Sequence, residues 1–321
     1  MLARRQDPSA QPWREDLWQF LPYVRIEADP EEGSPGGAPG AVGAIPFDLY
    51  GYQHERVASW LTGAYEVVLK PRQIGFSWLA AAYSYWRGGY HESSHVAAFS
   101  AGQREVQQLI RKVGYIHDHL PDAVRAPGTV GVESASFVNG STITGYPATQ
   151  TAGIGTTLAL ALFDEAAFHD QFAANLAVVL PALGSFGQCI VQSTANPELG
   201  PAGPYYDLFQ RALAGQSIFR PVFLPADCRP GRDAAWFANE RRKYPGDEAR
   251  FAAFYPMTEA EAWVGKSGLV FPMFSEQRHV RMGDPVEWED CLYRVASYDL
   301  GGGDPTAVIP LGVYRRSDGS I

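Results

Sequence analysis

The stretch Val67-Val68-Leu69-Lys70-Pro71-Arg72-Gln73-Ile74-Gly75-Phe76-Ser77-Trp78 decides how the chain is read. A short apolar run stops at a polar loop, and an alanine- and aromatic-rich run continues to Trp86. That order predicts strand, loop, helix. Such a turn can surround an anion with backbone N–H groups and the positive end of the following helix. Against the phosphate-loop pattern G-x-x-x-x-G-K-[ST], Gly75 takes the second glycine position and Ser77 the position of the hydroxyl that holds Mg²⁺. Phe76 stands where the lysine belongs, and Lys70 where the first glycine belongs. A lysine at the loop's start can still curl its ammonium back onto phosphates, because it is a point charge on a long flexible stem. The bland alternative is an ordinary strand-to-helix turn with two surface cations.

The downstream sequence tilts the balance. Six apolar residues, Leu158-Ala159-Leu160-Ala161-Leu162-Phe163, read as a strand buried on both faces, as in a parallel sheet. Asp164 and Glu165 follow at its C-terminal end, where open α/β sheets bind ligands and where bare carboxylates are costly. In chemical terms, Asp164 would hold Mg²⁺ and Glu165 would polarise an attacking water. In structural terms, they would only open a helix next to its macrodipole. A third strand, Gln188-Cys189-Ile190-Val191-Gln192, ends in Ser193-Thr194-Ala195-Asn196-Pro197. Ser193, Thr194 and Asn196 could hydrogen-bond a terminal phosphate, or could simply make a turn ahead of proline. Upstream, Gln53 could read an adenine edge with its amide, or could be a surface residue at a helix start.

The remaining sequence sets limits. With 321 residues, 46% hydrophobic and 19% charged, the chain is of ordinary globular composition. No run approaches the length of a membrane span, and the polar N-terminus lacks a signal-peptide core. Three cysteines, none in C-x-x-C spacing, exclude a disulfide framework or zinc ribbon and fit a reducing cytosol. A formal charge of −9 argues against a wholly basic nucleic-acid coat but leaves room for a local basic channel. His117 and His119 read as solvated loop histidines. Residues 13–28 read as a small N-terminal helix, 29–40 as a Pro/Gly-rich linker, and the body begins near Phe47. Helices are expected over 54–61 and 103–113, a strand over 94–100, and a hairpin over 136–145 with Asn139-Gly140 at its turn.

Loop, acidic pair and Ser-Thr-Ala-Asn strand end, in that order, resemble the ATPase of the large terminase subunits of tailed phages. Deviant phosphate loops with the lysine moved to the start recur in that family. Lys70, Arg72, Gln73, Gly75 and Ser77 match its loop; Asp164 and Glu165 match its acidic motif; Ser193, Thr194 and Asn196 match its coupling motif. Gln53 matches the adenine-contacting glutamine less specifically. Phe254-Tyr255-Pro256 with Glu259-Ala260-Glu261-Ala262-Trp263 resembles the segment that follows the motor. The run from Tyr293 to Ile309 resembles the first hairpin of the family's RNase H-like nuclease, with Asp299 matching its metal-binding aspartate and Asp304 a weaker candidate.

The resemblance implies an α/β fold: an ASCE-type P-loop NTPase with a mainly parallel sheet flanked by helices. The implied division is an N-terminal segment and linker (1–46), the ATPase (47–225), a linker or lid subdomain (226–285) and the start of a nuclease domain (286–321). It further implies ATP and Mg²⁺ as cofactors. Nucleotide contacts would come from Gln53, Lys70, Pro71, Arg72, Gln73, Ile74, Gly75, Phe76, Ser77, Trp78, Ser193, Thr194 and Asn196. Ser77, Asp164 and, in the nuclease, Asp299 would bind metal; Glu165, Arg72 and Lys70 would be catalytic, with Arg72 stabilising charge in cis or parked in a salt bridge to the acidic pair. The implied function is a motor translocating double-stranded DNA into a procapsid, working in the host cytoplasm and off the membrane. Its partners would be the small terminase subunit, the portal and further copies in a ring. DNA contacts would fall among Arg104, Arg111, Lys112, Arg241, Arg242 and Lys243. A helicase-like ATPase and a non-hydrolysing assembly protein stay open as alternatives.

A two-metal nuclease needs several carboxylates from separated strands. After Asp304 only Asp318 is acidic, so the nuclease is expected to be incomplete in this chain. We expect no DNA cleavage. Mg²⁺-dependent nicking of a supercoiled plasmid, absent in Asp299→Asn, would overturn that expectation.

Overall fold

The computed structural model describes residues 11–28, 42–148, 155–264, 291, 293–299 and 307–313. The chain forms two compact units, Met1–Val270 and Phe271–Ile321. In the first, short helix α1 (Leu17–Phe20) precedes strand β1 (Arg25–Glu27), which pairs antiparallel with β2 (Ala44–Pro46). Next come α2 (Gly51–Trp60), β3 (Glu66–Leu69), α3 (Phe76–Tyr90), β4 (His95–Ser100) and α4 (Gln103–His119). They are followed by β5 (Gly128–Val130), β6 (Ser134–Phe137), β7 (Thr142–Pro147), β8 (Leu158–Asp164), α5 (Phe172–Ala182), β9 (Leu183–Ser193), α6 (Pro204–Leu213) and β10 (Arg220–Phe223). Three further helices close the unit: α7 (Ala234–Arg241), α8 (Glu248–Phe254) and α9 (Glu259–Ala262).

The main sheet has eight strands in the order β10-β3-β9-β8-β4-β7-β6-β5. The strands from β10 to β7 run parallel, and β6 and β5 add an antiparallel edge. The fold is therefore the expected mainly parallel α/β sheet. β9 lies between β3, which feeds the loop from Lys70 to Gly75, and β8, which carries the acidic pair.

The apolar runs explain the layers, because successive residues of a strand face opposite sides. Val68, Val96, Ala98, Leu160, Leu162 and Ile190 join the core beneath α2, α3 and α4. Their neighbours Val67, Leu69, Ala97, Phe99, Ala161, Phe163, Cys189 and Val191 join the core on the other face with Phe172, Tyr205 and Phe209. Both faces are covered, so the strands read as continuous hydrophobic runs rather than alternating ones.

Several local readings change. The N-terminal stretch is not one helix: Pro12 and Pro22 sit in 3₁₀ turns, Asp16 caps α1 through the Trp18 N–H (2.9 Å), and the chain turns into β1. The segment packs on the body, since Leu17, Phe20, Val24 and Ile26 are in the same core as α3. His117 and His119 lie in the last turn of α4 rather than a loop, and His117 Nδ1 is 3.1 Å from the Tyr85 hydroxyl. The Asn139-Gly140 turn forms as read. Asn139 Nδ2 also donates to the carbonyls of Gly88, Gly89 and His91, satisfying the C-terminal end of α3. The linker read over 29–40 lies outside the described residues.

In the second unit, β11 (Tyr293–Asp299) pairs antiparallel with β12 (Ala307–Val313). Asp299 ends the first strand, opposite Ala307. The metal-binding reading of its carboxylate, like Asp304 and Asp318, lies outside what is described.

β3 is anchored by a group that periodicity does not flag. The Glu66 carboxylate is 1% exposed and accepts from Arg56 Nη1 (2.8 Å), Ser59 Oγ (2.5 Å) and Trp60 Nε1 (2.9 Å), tying α2 to the strand that enters the loop. Removing one partner of a buried pair leaves the other uncompensated. Glu66→Ala should therefore lower the unfolding free energy by about 3–5 kcal/mol. Glu248→Ala, in an exposed pair with Arg241, should cost under about 1 kcal/mol. Urea titration of the two variants checks the contrast.

Candidate functional site

The loop from Lys70 to Gly75 leaves the C-terminal end of β3 and enters α3. Its shape requires two left-handed residues, Gln73 (φ 56°) and Gly75 (φ 73°). Glycine is needed at 75 on two counts: its φ, and a Cβ there would lie 2.9 Å from Gln53 Nε2. Tyr52 Oη (2.9 Å) and Gln53 Nε2 (3.3 Å) both donate to the Ile74 carbonyl. From the other side, Arg232 Nη2 donates to the carbonyls of Arg72 (2.9 Å) and Gln73 (3.3 Å), and Arg229 Nη1 donates to the Gln73 carbonyl. Tyr255 Oη reaches Gln73 Oε1 (3.3 Å), and the Arg72 N–H donates to the Phe254 carbonyl (3.0 Å). Residues 226–256 thus hold the outer rim of the loop. Sequence reasoning missed Arg229 and Arg232. Two arginines around Pro230-Gly231 were the available signal, but no periodicity shows that both are buried.

The sheet order brings distant residues together. Ser77 Oγ donates to Asp164 Oδ2 at 2.7 Å, and Lys70 Nζ meets Glu165 Oε1 at 3.2 Å. Asp164 Oδ1 also accepts from Gln192 Nε2 (2.8 Å) and the Glu165 N–H (3.1 Å). His169 Nε2 donates to the Asp164 carbonyl at 2.7 Å; burial pushes this imidazole down to about 4, so it stays neutral. Glu165 takes a left-handed conformation (φ 56°) as the chain turns into a 3₁₀ turn, Ala166–Phe168. That strained backbone aims its carboxylate across β9 at Lys70 rather than along a helix axis.

A cavity of about 370 Å³ lies over this cluster. Its walls include Lys70, Gln73, Ile74, Gly75, Phe76, Ser77, Trp78 and Glu165, together with Lys112 and Arg229. Lys112, read from sequence among the DNA-facing cations, instead lines this cavity with its ammonium 5.6 Å from the Trp78 ring centre. Burial pushes its pKa down, and the Asp164 carboxylate pulls it back up. A lysine three residues after Leu109 and four before Ile116, both buried on α4, was the signal that sequence reasoning passed over. Of the other cations, Arg111 pairs with Glu27 (3.2 Å), Arg241 with Glu248 (2.6 Å) and Lys243 with Glu240 (2.6 Å).

Other sequence-predicted contacts stand elsewhere. Gln53 is 0% exposed, and its amide is spent on Ile74 O and on the Tyr50 N–H (2.9 Å), so it shapes the loop instead of presenting an edge to a base. Phe76 has its ring in the core, stacked near Tyr52 and edge-on to Trp60. Pro71 is buried outside the cavity wall. Arg72 makes no resting salt bridge with the acidic pair: its guanidinium lies 3.7 Å from the centre of the Phe254 ring, in a second cleft that Glu165 also lines. Lys70 makes the salt bridge instead, because the strand end points it at Glu165. Ser193 Oγ accepts from the Ala167 N–H (3.0 Å) and Asn196 Nδ2 donates to the Ala167 carbonyl (3.1 Å), so both brace the turn behind Glu165. The Thr194 hydroxyl is buried without a hydrogen-bond partner among the described residues.

The donor set suits Mg²⁺ better than a structural metal. Among the described residues no group of three or more His, Cys, Asp or Glu side chains could cage an ion. One carboxylate beside one hydroxyl is the sparse oxygen set that Mg²⁺ accepts when waters and phosphates complete its octahedron. The free N–H groups at the start of α3 and the nearby Lys70 complement an anion. The residues present therefore fit a Mg²⁺–polyphosphate group.

No protein-family model and no curated protein matches this sequence. Solved structures do match in fold. The large terminase of a thermophilic bacteriophage, in complex with ADP, superposes with a TM-score of 0.52 at 14% identity, over 83% of this chain and 65% of that one. Another crystal form of the same phage's large terminase gives 0.51 at 15%, over 83% and 66%. The HK97 bacteriophage large terminase gives 0.53 at 12%, over 79% of this chain and 49% of that one. This chain thus spans between half and two thirds of the length of these relatives, and at such identity the likeness is one of fold. Among the described residues no helix is long and apolar enough to cross a membrane.

If the arginine clamp holds the loop, Arg232→Ala should speed hydrogen exchange of the Arg72 amide, which donates to the Phe254 carbonyl, by about tenfold or more, since hydrogen bonds to charged groups contribute roughly 1.5–3 kcal/mol. Amides of β4 should be unaffected. Mass-spectrometric exchange reads both.

Proposed function

We propose that this chain is the ATP-hydrolysing motor of a phage DNA-packaging terminase. The observation that carries the reading is the meeting of Lys70, just past β3, with Glu165, and of Ser77, in the first turn of α3, with Asp164 at the end of β8. The shared fold with phage large terminases, one of them solved with ADP, supports it. ATP with Mg²⁺, when bound, supplies the phosphoanhydride whose terminal phosphoryl group passes to water.

The chain's own residues have distinct work. Ser77 Oγ and Asp164 Oδ2 would hold the cation, already sharing a hydrogen bond that places both oxygens together. The loop amides and Lys70 would hold the phosphates. Glu165 is the general base, orienting a water and taking its proton on the carboxylate. That carboxylate is tied to Lys70 Nζ, so base and cation neutralise one another. Transfer of the ammonium to an incoming anion would free Glu165, linking occupancy of the loop to basicity. Phe76 is no objection, because Lys70 brings to the site the charge that position lacks. Arg72, parked over Phe254, would have to leave that ring to act on transition-state charge.

Translocation of double-stranded DNA, a ring of copies on a portal, and a small-subunit partner are part of the same proposal. DNA contacts would be mainly to phosphates and steeply salt-dependent. The decisive experiment measures ATP hydrolysis with and without linear duplex DNA for the chain, Glu165→Gln and Lys70→Ala. We expect stimulation by duplex and a loss of about 10²-fold or more in both variants, with turnover abolished by chelating Mg²⁺. Activity surviving both substitutions would sink the assignment. Preference for single strands with unwinding of a forked duplex would mark a helicase-like ATPase, and nucleotide binding without turnover an assembly protein.

A further inference from the structure

Because the Phe76 ring is 2% exposed within the core, α3 brings no cation to the loop. The cavity nevertheless has a second lysine. Lys112 reaches it from α4, beside the first-turn residue Trp78 of α3 and in the same wall as Lys70, Ser77 and Glu165. Its acidic neighbour on β1, Glu27, is engaged by Arg111 at 3.2 Å. Lys70 is engaged by Glu165 at 3.2 Å. Among the described residues Lys112 is within ion-pair distance of no carboxylate, and its ammonium faces an aromatic ring. An ammonium half withdrawn from water with no carboxylate in direct contact is costly, and that cost falls when an anion enters. The two lysines therefore differ in kind: one is in direct contact with a carboxylate, while the other meets Asp164 and Glu27 only at longer range.

We propose that Lys112 is a phosphate-binding residue of this cavity, supplying from α4 a second cation beside Lys70, and that it captures the polyphosphate of a nucleoside di- or triphosphate. The inference rests on the nucleotide-binding reading of the site. It assigns separate duties: Lys112 sets affinity, while Lys70, held at Glu165 until an anion arrives, sets turnover.

The test is equilibrium binding, by calorimetry, of AMP, ADP and a non-hydrolysable ATP analogue to the full chain in the presence of Mg²⁺. Lys112→Gln should weaken ADP and the analogue by about 10- to 100-fold, weaken AMP less, and flatten the dependence of affinity on salt. Lys112→Arg, which keeps the charge and the stem, should bind near wild-type affinity. ADP bound equally well by Lys112→Gln and the wild type would overturn the inference while leaving the function standing. Equal weakening of AMP, ADP and the analogue would also overturn it, because a collapsed cavity does not count phosphates. A wild-type chain that binds no nucleotide would overturn both readings.

Discussion

A hydrogen bond of 2.7 Å between Ser77 and Asp164 spans β9, and the rest of the site depends on the order of strands that makes it possible. Parallel pairing of β3, β9 and β8 puts their C-terminal ends at one edge of the sheet. There the first turn of α3 and the end of β8 can face one another across a single strand. β9 is more than a spacer. Its Gln192 amide holds the second oxygen of Asp164, and Ser193 accepts from the turn behind Glu165. An antiparallel β9 would present other side chains here, and the carboxylate would lose the partner that fixes its rotamer.

The two unusual backbones of the site, at Gln73 and Glu165, lie on either side of this contact. A left-handed non-glycine residue costs on the order of 1–3 kcal/mol and persists only where its surroundings over-determine it. At Gln73 those surroundings are the donors from Tyr52, Gln53, Arg229 and Arg232 around the loop carbonyls. At Glu165 they are the Asp164 carboxylate and the braced Ala167 peptide. The loop is thus gripped from α2 on one side and from the segment after β10 on the other. Any displacement of that later segment is felt at Arg72 and Gln73 first.

What was legible in the sequence follows from how local each signal is. The central stretches 67–69, 96–99 and 158–163 of β3, β4 and β8 are continuous apolar runs because both faces of the sheet are covered, and burial is written directly into composition. The strand–loop–helix at 67–90 and the acidic strand end were readable from punctuation: glycine, serine and paired carboxylates at the ends of such runs. Direction of a side chain was not. Nothing local says that Gln53 turns inward to a carbonyl, that Arg72 lies on Phe254, or that Lys70 rather than Arg72 meets Glu165. Those choices are made by residues far away in the sequence. Arg229, Arg232 and Lys112 were missed for the same reason, as cations whose neighbours exist only once the sheet has ordered them.

The place of Phe76 carries a consequence for how such loops change. Its ring fills space between Tyr52 and Trp60, under the helix whose N-terminus it begins. Restoring lysine there, which would make the loop conform to the familiar pattern, would place an ammonium among aromatic side chains or pull the first turn of α3 out of the core. The common motif is therefore not a neighbouring solution for this chain. Reaching it would require repacking α2 and giving up the strand-end lysine together. On the proposed nucleotide-binding reading, the two arrangements are alternative wirings of one chemistry, separated by a hydrophobic core and not by a codon.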